Sequence, residues 1–253
     1  SSFSFLRDRV WDKIKGWQSK LLSMAGKEVL IKAILQAVPV YAMQIFRLPR
    51  RVLSDLERLF SNFWWHERQN RRFHWAKWKK ICQPKALGGM GFKELDHFNK
   101  SLLAKQAWRL LKFPERLPSR IIKAKYYPNC SFEEAQLGRR PSFTWRSIFS
   151  VKTLVQNGSR WRIGDGRSIN IWNDRWLSAY PISRPRINNH EGGIPTTVAD
   201  IRTGQQGWNV ELIRQTFSPK ETSMILPLPL SDISASDELY WHPTTSGLFT
   251  VKS

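Results

Sequence analysis

Residues 17–49 read WQSKLLSMAGKEVLIKAILQAVPVYAMQIFRLP. Helical spacing places Leu22, Val29 and Ala33 on one line, and Leu30, Ile34, Val38 and Tyr41 on the adjoining one. Lys20, Lys27, Glu28, Lys32 and Gln36 take the opposite side. The pattern predicts one long amphipathic helix from Trp17, stopped or kinked near Pro39, whose ring removes a donor and restricts Val38. A short apolar continuation then runs to Pro49. An apolar ridge backed by a mainly cationic face suits a core helix with a solvated back. It also suits a helix that offers its charge to a polyanion, and the charge of the whole chain favours that use.

The chain has 253 residues and a formal net charge of +21. Its length allows a real core, divided over a few small units. Residues 1–130 carry 27 Lys/Arg against 9 Asp/Glu, and residues 131–253 carry 14 against 11. The surplus therefore sits in the first half, which makes that half the candidate polyanion-binding region. A phosphate backbone is the commonest polyanion such a chain meets. An anionic membrane is less suitable, because no basic helix here carries a bulky aromatic face. No run of about eighteen apolar residues predicts a membrane span. No secretory signal pattern opens the chain, so an intracellular setting, nucleus or cytoplasm, is expected. Cys82 and Cys130 are too few and too far apart for a disulfide framework or a zinc motif. No metal and no cofactor are expected in this chain.

Outward from the opening stretch, residues 3–16 predict a helix with Phe5, Val10 or Trp11, and Ile14 on one face. Residues 50–66 predict another, burying Val52 or Leu53, Leu56, Leu59 or Phe60, and Phe63. In WWHERQNRRFHWAKWKKICQP, residues 64–84, aromatic and cationic residues alternate. Arg68, Arg71, Arg72, Lys77, Lys79 and Lys80 would neutralise phosphates while Trp75 and Trp78 cover bases. Together with Lys20, Lys27 and Lys32 they form the candidate nucleic-acid site. His66 and His74 lack nearby cysteines and read as polar loop residues. Gly88, Gly89 and Gly91 do not make a phosphate-cradling loop, since no Gly-Lys-Ser/Thr follows. Met90-Gly91-Phe92 reads as strand-like. A helix through Leu95, Phe98, Leu102 and Trp108 ends at Phe113-Pro114, and residues 119–128 predict a short basic helix.

The second half changes character. Residues 142–157 predict a short helix. In NGSRWRIGDGRSINIWNDRWL, residues 157–177, two alternating runs flank Asp165-Gly166. That dipeptide predicts a β-hairpin over 160–173, with a turn role for Asp165 rather than a carboxylate pair with Asp174. Residues 178–200 read as loop. Residues 198–230 suggest two short helices, with Asp200, Trp208-Asn209 and Ser218-Pro219-Lys220-Glu221 as start signals. A terminal hairpin is expected over 237–253, around Thr244-Thr245-Ser246-Gly247.

Five pieces in this order resemble the C-terminal part of plant non-LTR (LINE-type) retrotransposon polyproteins. They are residues 13–49, the FW-W segment at 63–78, LGGMGFKELDHFNKSLLAKQAWRL (87–110), WRIGDGRSINIWNDRWL (161–177) and DELYWHPTTSGLFTVKS (237–253). The resemblance implies that reverse-transcriptase fingers and palm precede this region. It places residues 13–49 where a polymerase thumb belongs, and it makes 237–253 the start of a zinc-binding module whose ligands would lie beyond Ser253. An RNase H domain can follow in full-length members. The family's aromatic-Ala-Asp-Asp metal motif has no counterpart here.

The expectation is therefore a fragment of a retrotransposon RNA-directed DNA polymerase, itself not an enzyme and without catalytic residues. The first half should be mostly α, and the second α+β with small antiparallel hairpins. Expected segments are a thumb-like 1–49, a basic connector 50–130, an α+β connector 131–236 and the module start 237–253. The expected partner is nucleic acid, whether RNA, DNA or hybrid, and also the upstream palm; no membrane and no small-molecule substrate are expected. The alternative is a connector that packs on the palm without touching nucleic acid.

Overall fold

The computed structural model describes residues 3–18, 22–65, 75–177, 184–185, 195–203, 207–230 and 234–252. The chain forms two compact units, essentially 1–153 and 154–251. The expected boundaries at 49/50 and 130/131 fall inside the first unit, and that at 236/237 inside the second. As expected, helices dominate the first half, and the strands form small antiparallel pairs in the second.

The predicted long helix is not continuous. Trp17 and Gln18 end helix α1 (Ser4–Gln18), and the chain restarts as α2 (Met24–Ala33). Ser23 is the reason: its hydroxyl accepts the Gly26 N–H at 3.1 Å, an N-cap that begins a new helix. A 3₁₀ turn over Leu35–Ala37 follows, and Pro39 then caps the short α3 (Val40–Met43). The restart also resets the phase of the buried face. Lys27, Ile31 and Leu35 point inward, together with Gln36, whereas Val29 and Tyr41 are 62% and 79% exposed. The expected cationic back is thus partly the core side.

Helix α4 (Arg50–Trp64) matches its periodicity, burying Leu53, Leu56, Phe60 and Phe63, and it packs against α1 and α2. After the short α5 (Trp78–Ile81), residues 90–92 form no strand. Gly91 takes a positive φ of 68°, and the Met90 and Gly91 N–H groups return to the carbonyls of Ile81 and Gln83. Helix α6 (Leu95–Lys112) is central to this unit, contacting α3, α4, α7 (Leu117–Tyr126) and α8 (Phe143–Phe149).

A fully buried Asn99 on α6 ties down the chain between α3 and α4. Its Nδ2 donates to the carbonyls of Met43 (2.8 Å) and Phe46 (2.9 Å). Its Oδ1 accepts from the Leu48 N–H (2.9 Å) and the Arg47 guanidinium (3.1 Å). Arg47 also pairs with Asp96 at 2.5 Å, and its N–H donates to Ser147 Oγ at 2.8 Å. Irregular backbone is thereby buried with its polar groups paired.

Glu57 on α4 accepts the Leu95 N–H at 2.7 Å, at the start of α6. Burial raises its carboxyl above the ordinary 4.5, and that hydrogen bond only partly offsets the rise. A folded-state value above the unfolded one means stability present at low pH and lost as pH rises through the folded value. Glu57→Gln keeps the acceptor and should remove this loss. Urea midpoints at about pH 4 and about pH 7 should diverge less in the variant than in the parent. Equal pH dependence in the two proteins would contradict the assignment.

In the second unit α9 (Lys152–Gly158) leads into β1 (Ser159–Arg162), but the predicted hairpin partner is not used. Strand β1 pairs antiparallel with the distant β4 (Glu238–Trp241), Ser159 opposite Trp241. Residues 169–171 instead meet 196–198, through Ile171 N–H to Thr196 and Val198 N–H to Ile169. The cause is Asp237. Its carboxylate collects the N–H groups of Gly164 (2.7 Å), Gly166 (2.9 Å) and Ser168 (2.9 Å), wrapping the loop around itself instead of a two-residue turn. Gly164 allows this because a Cβ there would collide with the backbone of Ala235 and Ser236. Asp165 keeps its turn role, accepting the Arg167 N–H, and Asp174 accepts that of Asn170.

The expected terminal hairpin is replaced likewise. Trp241 N–H bonds Gly247 O in a turn, while β4 itself takes β1 as partner. A second ribbon, β2 (Arg202–Thr203) with β3 (Gly207–Trp208), precedes α10 (Val210–Thr216) and α11 (Pro219–Ile225). Asn209 caps α10, and Ser218 with Glu221 makes a capping box on α11. Ile163, Ile169, Ile171, Trp176, Val198 and Ile213 are among the core of this unit.

Candidate nucleic-acid interface

Four of the candidate residues, Lys20, Arg68, Arg71 and Arg72, lie outside the described residues, as do His66 and His74. The other seven divide by what they touch. Helix α5 turns Ile81 into the core and half-buries Trp78, which leaves Lys79 and Lys80 exposed, with Lys77 just before them. These three cations form no ion pair with another described residue. Trp75 is 77% exposed close by. Lys77, Trp75 and the Lys79-Lys80 pair therefore remain together at one solvent-facing corner.

Trp78 is placed differently. Its indole stacks on Phe92 at 5.2 Å and 11°, and meets Phe60 at 6.1 Å. Phe92 in turn packs edge-on against Trp64 at 5.2 Å. This ring belongs to an aromatic layer between α4 and α5, so its face is not open for a base.

Lys27 corrects the sequence reading. It is 9% exposed, and its Nζ donates to the Trp64 carbonyl at 3.4 Å. Its ammonium serves the C-terminal end of α4, where a cation also opposes the helix dipole. Lys32 is held as well. Glu28 accepts from Lys32 at 2.7 Å and from Lys85 at 2.9 Å, and these two hydrogen bonds hold its carboxyl below the usual range. The clamp joins α2 to the loop after α5 and neutralises part of the predicted cationic face.

Burial pushes the Cys82 thiol up to about 12, so it is no thiolate at neutral pH. Among the described residues, no group of three or more His, Cys, Asp or Glu side chains could hold a metal ion. No described helix is long and apolar enough to cross a membrane.

A second basic surface stands on α7. Arg116, Arg120, Lys123 and Lys125 are exposed, with Leu117 and Ile121 between them at 67% and 58% exposure. Alongside lies a groove of about 450 Å³ bordered by α3, α6, α7 and α8. Sequence reading marked α7 as basic, but the groove depends on contacts among distant segments.

The chain aligns over 143 residues, at 41% identity, with the "Uncharacterized mitochondrial protein AtMg00310" of Arabidopsis thaliana, covering 56% of this chain and 93% of that protein. The chain belongs to the family of that mitochondrial protein. It is also 32% identical over its whole length to the "Putative ribonuclease H protein At1g65750" of Arabidopsis thaliana, of which it spans 42%. No family model matches the chain. No solved structure matches it.

Proposed function

We propose that this chain is a non-catalytic segment of a plant retroelement protein of the RNA-directed DNA polymerase type, holding nucleic acid through its basic first unit. One observation carries the reading: Lys77, Lys79 and Lys80 stand exposed and free of ion pairs with described residues, beside an exposed Trp75. Cations that no described residue neutralises suit a phosphate backbone, and a flat exposed ring suits a base. The name of the ribonuclease H relative, of which this chain covers a part, agrees with a nucleic-acid setting. The thumb-like role of 13–49 and the module start at 237–253 rest on the sequence resemblance.

Phosphate contacts dominate such binding, so it should weaken steeply with salt and be largely indifferent to base sequence. Changing Lys77, Lys79 and Lys80 together to Gln should lower the slope of log affinity against log salt by roughly 2–3, at about 0.7–0.9 per lost contact. Lys27→Gln, which alters an inward-facing ammonium, should leave the slope unchanged. The measurement is fluorescence anisotropy with a mixed-sequence hybrid at several salt concentrations. An unaltered slope in the triple variant would sink this surface as the contact.

Exposed Met24, Val29 and Tyr41 on α2 and α3 favour a second reading, a connector whose apolar side chains dock on an adjoining polymerase domain. Salt-independent binding, or none, in the anisotropy assay would give that reading precedence.

A further inference from the structure

We infer that the groove beside α7 seats one nucleotide of a single strand, its phosphate at the helix start and its base on the groove floor. The inference rests on the nucleic-acid reading above and adds a site that the 75–80 corner does not contain. The floor is apolar, formed by Ile45, Leu110, Ile122 and Ile148. Arg109 and Arg116 stand at the rim, and both are exposed. Arg109 is steadied by Gln106 Oε1 at 3.2 Å, and the Arg116 guanidinium lies 4.1 Å over the Phe113 ring. Both cations are therefore partly ordered before any ligand arrives.

Two further features point to an anion. Helix α7 starts with no side-chain cap and with Pro118, which has no N–H, in its first turn; the N–H groups of Leu117 and Ser119 and the positive end of the dipole therefore have no capping side chain. Ser119 in that turn lines the groove, is 4% exposed, and its hydroxyl makes no hydrogen bond to another described residue. A hydroxyl with no described partner, on a residue that lines the groove, is available to donate to an anion seated there. The nearest acidic residue in sequence, Glu115, is exposed at the loop before the helix. An oxyanion at Ser119 between two guanidiniums satisfies all of these groups at once. The apolar floor next to it fits the flat face of a base, and the volume lies within the range of ordinary ligand pockets, about 300–1,000 Å³.

The test uses the full chain and a short single-stranded oligouridine carrying 4-thiouridine. Irradiation followed by peptide mapping should place crosslinks within residues 106–122 and 144–148. Arg109→Gln with Arg116→Gln should weaken oligouridine binding by about tenfold and abolish those crosslinks. The Lys77, Lys79 and Lys80 variant should keep them. Uridine 5′-monophosphate should compete better than inorganic phosphate. Tight binding with crosslinks only elsewhere, or arginine variants that bind as the parent does, overturns the groove while leaving the broader function standing. Equal competition by phosphate and the nucleotide overturns the base-binding floor. No binding of any nucleic acid overturns both.

Discussion

Asn99→Leu should cost the first unit roughly 3–5 kcal/mol of stability, the largest effect expected of any single change described. Leucine repeats the branched shape of asparagine, with two methyl groups in place of the amide oxygen and nitrogen, so its added bulk is the smaller part of the cost. What is lost is pairing. The Leu48 N–H and the carbonyls of Met43 and Phe46 stay buried, and their partner is gone. Arg47 loses one of its two acceptors, and Asp96 must then orient it alone. Asn99→Asp separates pairing from size: it can still accept from Leu48 and Arg47 but offers the two carbonyls no donor. Both variants should shift the urea midpoint strongly with the slope unchanged. A shift worth less than about 1 kcal/mol in Asn99→Leu would show that water or relaxation replaces the network.

Asp237→Ala should be next, at roughly 3 kcal/mol, because three backbone N–H groups lose one shared carboxylate. Gly164→Val attacks the same arrangement from the other side, by forcing the backbone of 235–236 away. The double variant should cost little more than the worse single one, since each removes the same contact. Amide exchange reports the site directly: Gly166 and Ser168 should lose protection in both variants. Retained protection in Asp237→Ala would contradict the role given to the carboxylate.

Much of the helical frame is legible from local chemistry. The periodicity of 50–66 yields α4 with its buried face correct, and Ser218-Pro219-Lys220-Glu221 marks α11 by its own capping box. What local patterns miss is set by distant partners. Ser23 divides the opening stretch because one hydroxyl competes for the Gly26 N–H, and the new phase turns Lys27 inward. Asn99 looks like a solvent-facing residue until the carbonyls it serves come round from α3. Asp165-Gly166 carries a hairpin signal, and Gly166 does take a φ of 78°, yet Asp237 claims the loop and β4 claims the strand. Of the site, the exposed corner around Lys79 follows from alternation alone. The burial of Trp78 follows from Phe92, which no spacing rule links to it.

The link between Gly164 and Asp237 spans seventy-three residues. During synthesis, at about 5–20 residues per second, the loop after β1 leaves the ribosome roughly 4–15 s before the carboxylate that organises it. Through that interval the ladder edge of residues 159–162 has no β4, and three amides of the following loop have no acceptor but water. An unpaired edge of this kind is a template for a neighbouring nascent chain. The charge on that strand limits the hazard: Arg160 and Arg162 alternate with Ser159 and Trp161, so two like strands meeting edge to edge would repel. The same arginines serve the finished unit, Arg160 donating to the carbonyls of Asn157 and Ser159 and Arg162 pairing with Glu238, so the charge that guards the open edge is taken up when β4 arrives.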